Sequence, residues 1–517
     1  MIIYKVTEYF KNNFYLQGLL IFSFGCISGL SFSGLSVFIC VPLMIVSLSF
    51  LLLFLFYSKN KNYLHFFSIG SLFSFGQLLV GLYWISFSFE YVFTNGIYFG
   101  FISILFLTFI LSIFYGLSCI IILYIHNIWQ LNIFGFAMIF SIFLSLSEYL
   151  RGNVFGGFPW NIIGYIWSYS DIMMQSLSII GVYGLGLLTF LAATSIALIF
   201  HKIRYGFYAF LPIILCALYG EIRLNLQNTD YNDYLQIRIV QPSISQDLKW
   251  DQKLRNQHLE KLISLSLKDN GKNKPKIILW PESSLPYNSS FLEKNIEIIN
   301  WLDYDQILIA GITRTEFNNN QLKKMYNSAL ITDKLFNNIY YDKIKLVPFG
   351  EYIPLKNFFN FNKITNGPID FSSGKNSNIV KLIDTKYNIG ILICYEIIFS
   401  GNVIQGERPD FLVNITNDAW YGNTYGPLQH LSAARARAIE EGMPIIRSAN
   451  TGVSAVIDEY GQYLDRLELG ESGILDINLP IKKKNTVFSF VGNYLYLISL
   501  IFMLMLTRFA FISKKLK

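Results

Sequence analysis

Apolar residues run almost without interruption through the first part of the chain and return at its end, while the stretch between them is polar and punctuated. A bilayer span needs about 20 apolar residues. Runs of that length predict spans at 14–33, 35–57, 64–88, 97–125, 132–150, 171–200 and 206–221, and an eighth from Val487 to Phe511. From Leu235 the pattern changes to short β-rich runs. Strands are predicted at 235–240, 277–280, 307–312, 327–332, 379–383, 389–394, 411–415, 445–449 and 453–457. Helices are predicted at 251–268 and 427–441; the second opens on Pro427 and is followed by Gly442, as helix ends prefer. This alternation predicts a layered α/β domain. Residues 355–378 show no period and read as a long loop of the kind that forms lids or binding elements. Three segments follow: 1–224 with seven spans, 225–486 as the α/β domain, and 487–517 as a last span with a basic tail.

Charge orients this arrangement. Lys5, Lys11, Lys59, Lys61, Lys202, Arg204, Arg508, Lys514, Lys515 and Lys517 fall on one side of the spans, and the short loops opposite offer little beyond Arg151. By the positive-inside rule both termini are cytoplasmic, and an odd number of spans puts the polar block in the periplasm or its equivalent. No small-residue cleavage site marks the first run as a removable signal peptide. The net charge of +7 forms no basic stripe, so it gives no footprint for nucleic acid.

Of five cysteines, Cys26, Cys40, Cys119 and Cys216 lie in apolar runs, which leaves Cys394 alone in the polar block. It has no disulfide partner in its own domain, so it is a buried small hydrophobe or a nucleophile. It ends the run Gly-Ile-Leu-Ile-Cys394 and precedes Tyr395-Glu396, a strand-to-turn step that presents a side chain at the top of a sheet. Glu282 follows Trp280-Pro281 at the end of another strand, where the proline stops the ladder. Lys343 follows Tyr340-Tyr341-Asp342, and residues 343, 345 and 347 are expected to share one strand face, with Lys345 beside Lys343. Alone, Glu282 reads as a solvated turn carboxylate and Lys343 as surface. Together a carboxylate, an ammonium and a thiol at strand ends form a working set. The carboxylate can accept the thiol proton, and the ammonium can steady a thiolate and an oxyanion.

These motifs resemble the Glu-Lys-Cys arrangement of the nitrilase superfamily: Trp280-Pro281-Glu282, Tyr341-Asp342-Lys343 leading to Leu346-Val-Pro-Phe-Gly-Glu351, Cys394-Tyr395-Glu396, and Asn417-Asp418-Ala419-Trp420-Tyr421-Gly422. With seven flanking spans, a closing eighth and Gly156-Gly-Phe-Pro-Trp160 in an outward loop, the whole chain is similar to the bacterial apolipoprotein N-acyltransferase family. The resemblance implies an α-β-β-α sandwich on a membrane helical bundle. It implies transfer of an acyl chain from a phospholipid, expected to be phosphatidylethanolamine, to the α-amine of the S-diacylglyceryl cysteine of apolipoproteins, the last step of lipoprotein maturation. Glu282 is then the general base, Lys343 the oxyanion and thiolate stabiliser, and Cys394 the nucleophile of a ping-pong cycle through a thioester. Glu351, Tyr395, Glu396, Trp250 and Trp420 match supporting positions. A monomer in the bacterial inner membrane is expected.

Other features carry less. Phe358, Phe359, Phe361 and Phe371 are expected to touch lipid. His258 and His430 are far apart in sequence without metal-ligand spacing, so neither a metal nor a cofactor is expected, and His430 reads as structural or as a minor polar contact. Glu148 and Arg151, one turn apart at a span end, read as an interfacial ion pair or as headgroup contacts. Gly181, Gly184 and Gly186 read as helix-packing glycines. Three rival functions are a tethered amidase that releases acyl groups to water, a transporter with an outer domain, and a non-catalytic binding module. Eight spans exceed what a tether needs, the spans carry few ionisable groups for an ion path, and a binding module has no need of all three reactive residues.

Overall fold

The computed structural model describes residues 14–510 except 59–61, 228–233, 270, 272–273, 320, 355–368, 376 and 482–483. The chain divides into two compact units, Met1–Ser86 with Tyr98–Gln227 and Thr486–Lys517, and Phe87–Ile97 with Asn228–Asn485.

The first unit is helical. Its main helices are α1 (Phe14–Gly29), α2 (Val37–Tyr57), α3 (Tyr63–Gly81), α4 (Gly96–Trp129), α5 (Ile133–Asn153), α6 (Leu177–Ala193), α7 (Ile203–Asn225) and, late in the chain, α10 (Tyr494–Ala510). Among the described residues seven segments, from Tyr15–Phe32 to Ile203–Asn225, are long and apolar enough to cross a membrane, and Tyr494–Ala510 is a shorter apolar helix. The predicted spans differ mainly at their breaks. The sixth is divided because Gly181 adopts φ +62 inside α6, and the eighth because Gly492 adopts φ +53 ahead of α10. A side chain at Gly181 would meet the Phe488 ring at 2.2 Å, so this glycine admits both a kink and a close neighbour. Glu148 and Arg151 are both buried, and their hydrogen bonds go to α4 and to the loop after α5. Glu148 accepts from the Tyr115 hydroxyl at 3.2 Å and the Ile163 amide at 3.0 Å. Arg151 donates to the carbonyls of Phe158 at 2.9 Å and Trp160 at 2.8 Å. The charges fold the Gly156–Trp160 loop back onto its own helix, so the headgroup reading is set aside.

The second unit contains two six-stranded sheets, ordered β12-β1-β2-β3-β4-β5 and β11-β10-β9-β8-β7-β6. The strands are β1 (Tyr234–Gln241), β2 (Ile277–Leu279), β3 (Ile307–Asn318), β4 (Gln321–Asp333), β5 (Ile339–Asp342), β6 (Ile379–Lys381), β7 (Asn388–Ile393), β8 (Phe411–Thr416), β9 (Ile445–Ala449), β10 (Ser454–Ile457), β11 (Tyr463–Leu467) and β12 (Gly473–Pro480). Each sheet has three parallel strands in its middle, β1-β2-β3 and β7-β8-β9, with antiparallel strands outside them.

Strand alternation builds the layers. Ile277 and Leu279 of β2 enter a core shared with Ile389, Ile391, Ile393, Val413 and Ile415 of the other sheet. Ile278 and Trp280 point the other way, into a second core with Leu262 of helix α8 (Arg255–Leu267) and with Leu308 and Leu330. Both faces of the central strands are therefore covered, which is why they read as continuous apolar runs. Helix α9 (Gly426–Glu441) contacts β9; it starts with a proline in its first turn and ends on Gly442 in the left-handed conformation, as the sequence predicted.

Strand β5 ends at Asp342, and the chain then turns. Residues 343, 345 and 347 therefore do not share a strand face. Lys345 donates its amide to Glu396 and lays its ammonium 5.3 Å from the Phe399 ring, away from the carboxylates around Lys343.

Candidate active site

The site is built where strands run out, two of them central (β2 and β7) and one at a sheet edge (β5). After β2, Pro281 and Glu282 turn sharply, and Ser283 takes φ +49. The turn lies against β3 at Gly311, whose amide donates to the Pro281 carbonyl at 3.1 Å. A Cβ on Gly311 would sit 2.2 Å from the Ser283 nitrogen and 2.6 Å from the Glu282 Cα, so only glycine permits the approach. Lys343 is the first residue after β5, held by its amide to the Asn327 carbonyl at 2.9 Å. Cys394 directly follows β7 with φ +50, a left-handed conformation that costs a residue with a side chain about 1–3 kcal/mol. Such outliers persist where surrounding structure over-determines them. Here the Glu396 carboxylate accepts the Ile393 amide at 2.8 Å, and His430 Nε2 lies 3.1 Å from the Cys394 carbonyl oxygen.

Glu282, Lys343, Glu351 and Cys394 are all buried. The Lys343 ammonium donates to Glu351 at 3.0 Å and stands 3.7 Å from Glu282 Oε1. Asn327 bridges the same two carboxylates, donating to Glu282 Oε1 at 2.8 Å and to Glu351 Oε1 at 2.7 Å. The remaining carboxylate oxygens take main-chain amides: Glu282 Oε2 that of Asn417 at 2.8 Å, and Glu351 Oε2 that of Val347 at 2.8 Å. Burial alone disfavours the Lys343 cation, but Glu351, then Glu282, Cys394 and Glu396 outweigh it and hold the ammonium above the ordinary lysine range. The Cys394 thiol is pushed up to about 12 by burial first and then by the Glu282 charge, with Lys343 pulling the other way. It rests protonated beside a carboxylate that can take the proton and an ammonium that can hold the resulting thiolate.

Glu396 ties the lysine turn to the cysteine turn. Its carboxylate accepts the Tyr341 hydroxyl at 2.9 Å and the amides of Ile344 at 2.8 Å and Lys345 at 3.1 Å, in addition to that of Ile393. Burial pushes its carboxyl up, against those amides and Lys343. Tyr395 is buried with its ring edge-on to Phe399 at 5.1 Å. Trp250 is 39% exposed, with the Lys249 ammonium 6.0 Å from its ring. Trp420 is half-buried; Ser88 donates to its carbonyl at 2.9 Å and the Tyr91 ring stands edge-on at 6.1 Å. Ser88, the last residue of the predicted third span, and Tyr91, just after it, lie in the short segment Phe87–Ile97 that belongs to this unit. Phe371 is tied to the site by its amide, which donates to the Glu351 carbonyl at 2.9 Å, whereas Phe358, Phe359 and Phe361 lie outside the described residues.

The sequence reading gave no role to Asn327, Tyr421, Arg447 or Lys249. Asn327 sits mid-strand in β4, where a buried asparagine is itself unusual and is the signal that could have found it. The Tyr421 hydroxyl hydrogen-bonds the Cys394 side chain; burial, then Cys394, raises its pKa well above the tyrosine range. His430, read as structural, is completely buried with Nδ1 2.8 Å from Asp418 Oδ1, and Arg447 donates to Asp418 Oδ2 at 2.7 Å. Burial and then the Arg447 charge lower the His430 pKa, while Arg447 and then His430 overcome burial to hold Asp418 down at about 2. The ligating atoms of Cys394, Asp418 and His430 fall within 4.8 Å of one another. Both ring nitrogens and both Asp418 oxygens already have partners, one of them a guanidinium, so this cluster is arranged to fix the Cys394 backbone. Lys249 is the fourth, and its ammonium donates to the Glu282 carbonyl at 3.0 Å.

Known proteins resemble this chain along most of its length. Residues 24–195 match the model for the apolipoprotein N-acyltransferase N-terminal domain, and residues 236–483 match that for carbon-nitrogen hydrolases. The chain is 34% identical to an apolipoprotein N-acyltransferase of Rickettsia prowazekii (strain Madrid E) over 498 residues, covering 93% of this chain and 96% of that protein. It is 34% identical to the one from Rickettsia typhi (strain ATCC VR-144 / Wilmington), over 95% of this chain and 98% of that protein. With the one from Rhodopseudomonas palustris (strain ATCC BAA-98 / CGA009) the identity is 34% over 85% of each.

Proposed function

The chain belongs to the apolipoprotein N-acyltransferase family, and from that premise we propose that it N-acylates lipoproteins in a bacterial inner membrane, taking the acyl chain from a phospholipid through a thioester on Cys394. The observation that carries this reading is one buried thiol, at a strained strand-to-turn step, in the same site as a carboxylate and an ammonium that share a clamp. In the first half-reaction Glu282 accepts the thiol proton as sulfur attacks the ester carbonyl of the donor, here phosphatidylethanolamine. Lys343 holds the thiolate and then the oxyanion, and lysophospholipid leaves with the proton returned to its alkoxide oxygen. In the second, the α-amine of the S-diacylglyceryl cysteine attacks the thioester, Glu282 takes the amine proton, and the thiol is restored. A thioester suits this chemistry because it keeps the acyl group reactive toward amines.

Seven apolar helices make this a multi-pass membrane protein, and the charge asymmetry of its loops supports a periplasmic catalytic domain with both termini inside. We assign residues 225–486 to that domain and take the working form to be a monomer. The test is reconstitution of the full chain with phosphatidylethanolamine and a diacylglyceryl peptide. Acylated peptide and lysophospholipid in equal amounts are expected. Free fatty acid with no acylated amine would instead mark a hydrolase.

A further inference from the structure

One buried cation at the site is unused by this mechanism. Lys249 lies between β1 and α8, and its side chain is buried. Among the described residues its ammonium makes one hydrogen bond, to the main-chain carbonyl of Glu282, and Lys249 lines a small cavity with Trp250, Ser283, Ser284 and Asn450. A lysine carries three donors, and burying it with a single carbonyl acceptor is costly unless nearby negative charge compensates. The charged and titratable groups coupled to it are Glu282, Cys394 and His258 of α8. The carbonyl it grips belongs to the tight Pro281–Ser283 turn that aims the Glu282 carboxylate.

We propose that Lys249 is a positioning residue of the acyl-transfer site: it fixes the Glu282 turn through the main-chain carbonyl and supplies a second positive charge to the Glu282–Cys394 pair. This rests on the acyl-transfer reading for its meaning, though the charge effect on Cys394 is testable without it. Lys343 is clamped by two carboxylates and stays charged, whereas Lys249 has no carboxylate partner among the described residues, and burial lowers its pKa to about 8 despite Glu282 and Cys394. Its charge therefore depends on the state of the site. When Cys394 ionises, proton loss from Lys249 is opposed; when Lys249 is neutral, the thiolate loses support.

The experiment is alkylation of Cys394 by iodoacetamide in the full-length, detergent-solubilised protein, followed as mass on the Cys394 peptide from neutral pH to about pH 9, a range centred on the lysine's titration. One pK unit of lost charge support corresponds to about tenfold in thiolate population. Lys249→Met is expected to alkylate about tenfold more slowly near neutral pH. Lys249→Arg, which stays charged, is expected to recover that rate and to rise with pH more steeply than the wild type, whose slope is flattened as Lys249 sheds its proton. Superimposable profiles for wild type and both variants overturn the proposal. So does a uniform slowing in both variants that tracks a lower melting temperature, because that marks a merely structural lysine. An absence of thioester in the wild type would remove the acyl-transfer reading while leaving the alkylation comparison intact.

Discussion

Two groups of buried charges, one in each unit, are satisfied in opposite ways. In the helical unit Glu148 and Arg151 spend their hydrogen bonds on a tyrosine hydroxyl and on main-chain groups of the following loop. In the α/β unit Lys343 is bonded to Glu351 and stands 3.7 Å from Glu282, Asn327 bridges the two carboxylates, and each carboxylate takes one further main-chain amide. The first arrangement fixes backbone. The second keeps an ammonium and a carboxylate poised within a few ångströms of each other beside a thiol. Burial alone does not mark a reactive site; what the buried charges are bonded to does.

Lys343→Met should separate the two groups most sharply. It leaves Glu282 and Glu351 facing each other without a cation, which typically costs about 3–5 kcal/mol of stability, and it should also remove about 10²–10³ in acyl-transfer rate. Melting curves and single-turnover thioester formation read the two effects; a full rate in a folded variant would break the contrast. The Asp418 network gives the next effect. Its carboxyl is held at about 2 against an ordinary aspartate value of 3.8, so it favours the folded state fully above about pH 4. That support is lost as the pH falls toward 2, because the unfolded chain binds the proton first. The shift is worth about 2 kcal/mol, so Asp418→Asn should melt earlier than wild type at neutral pH and converge with it in acid.

Asn327→Ala removes the bridge between the carboxylates and should slow thioester formation about tenfold, from the loss of hydrogen bonds to charged groups, with a smaller change in melting temperature. The smallest effect is expected in the helical unit. Glu148→Gln should cost about 1 kcal/mol through weaker main-chain contacts and leave the rate per folded molecule unchanged. A loss of rate without loss of stability there would show that the helical charges also serve the chemistry.

Much of this was legible because chemistry sits at strand ends, and strand ends are marked by pattern breaks. Pro281 after Ile277–Trp280 exposed Glu282, and the polar turn after Gly390–Ile393 exposed Cys394. The central strands and α9 were readable from continuous apolar runs and from Pro427 and Gly442. Of the edge strands, β6 was read at 379–383, but β5, β11 and β12 were not. β5 is four residues of Ile-Tyr-Tyr-Asp, and β11 carries Asp465 and Arg466 on an exposed edge, so neither shows the apolar pattern of a buried strand. Missing the end of β5 put Lys345 beside Lys343, when a turn directs it elsewhere. Asn327, Lys249 and Arg447 were missed for one reason: each acts through contacts between segments far apart in sequence, which no local pattern records.

The most direct measurement is the intact mass of the purified protein after incubation with phosphatidylethanolamine and no acceptor, beside Cys394→Ala. If Cys394 carries the acyl group, the wild type gains one acyl chain, hydroxylamine removes it, and the variant gains nothing. No gain in either protein, with lipid demonstrably bound, would contradict the thioester and with it the roles given to Glu282 and Lys343.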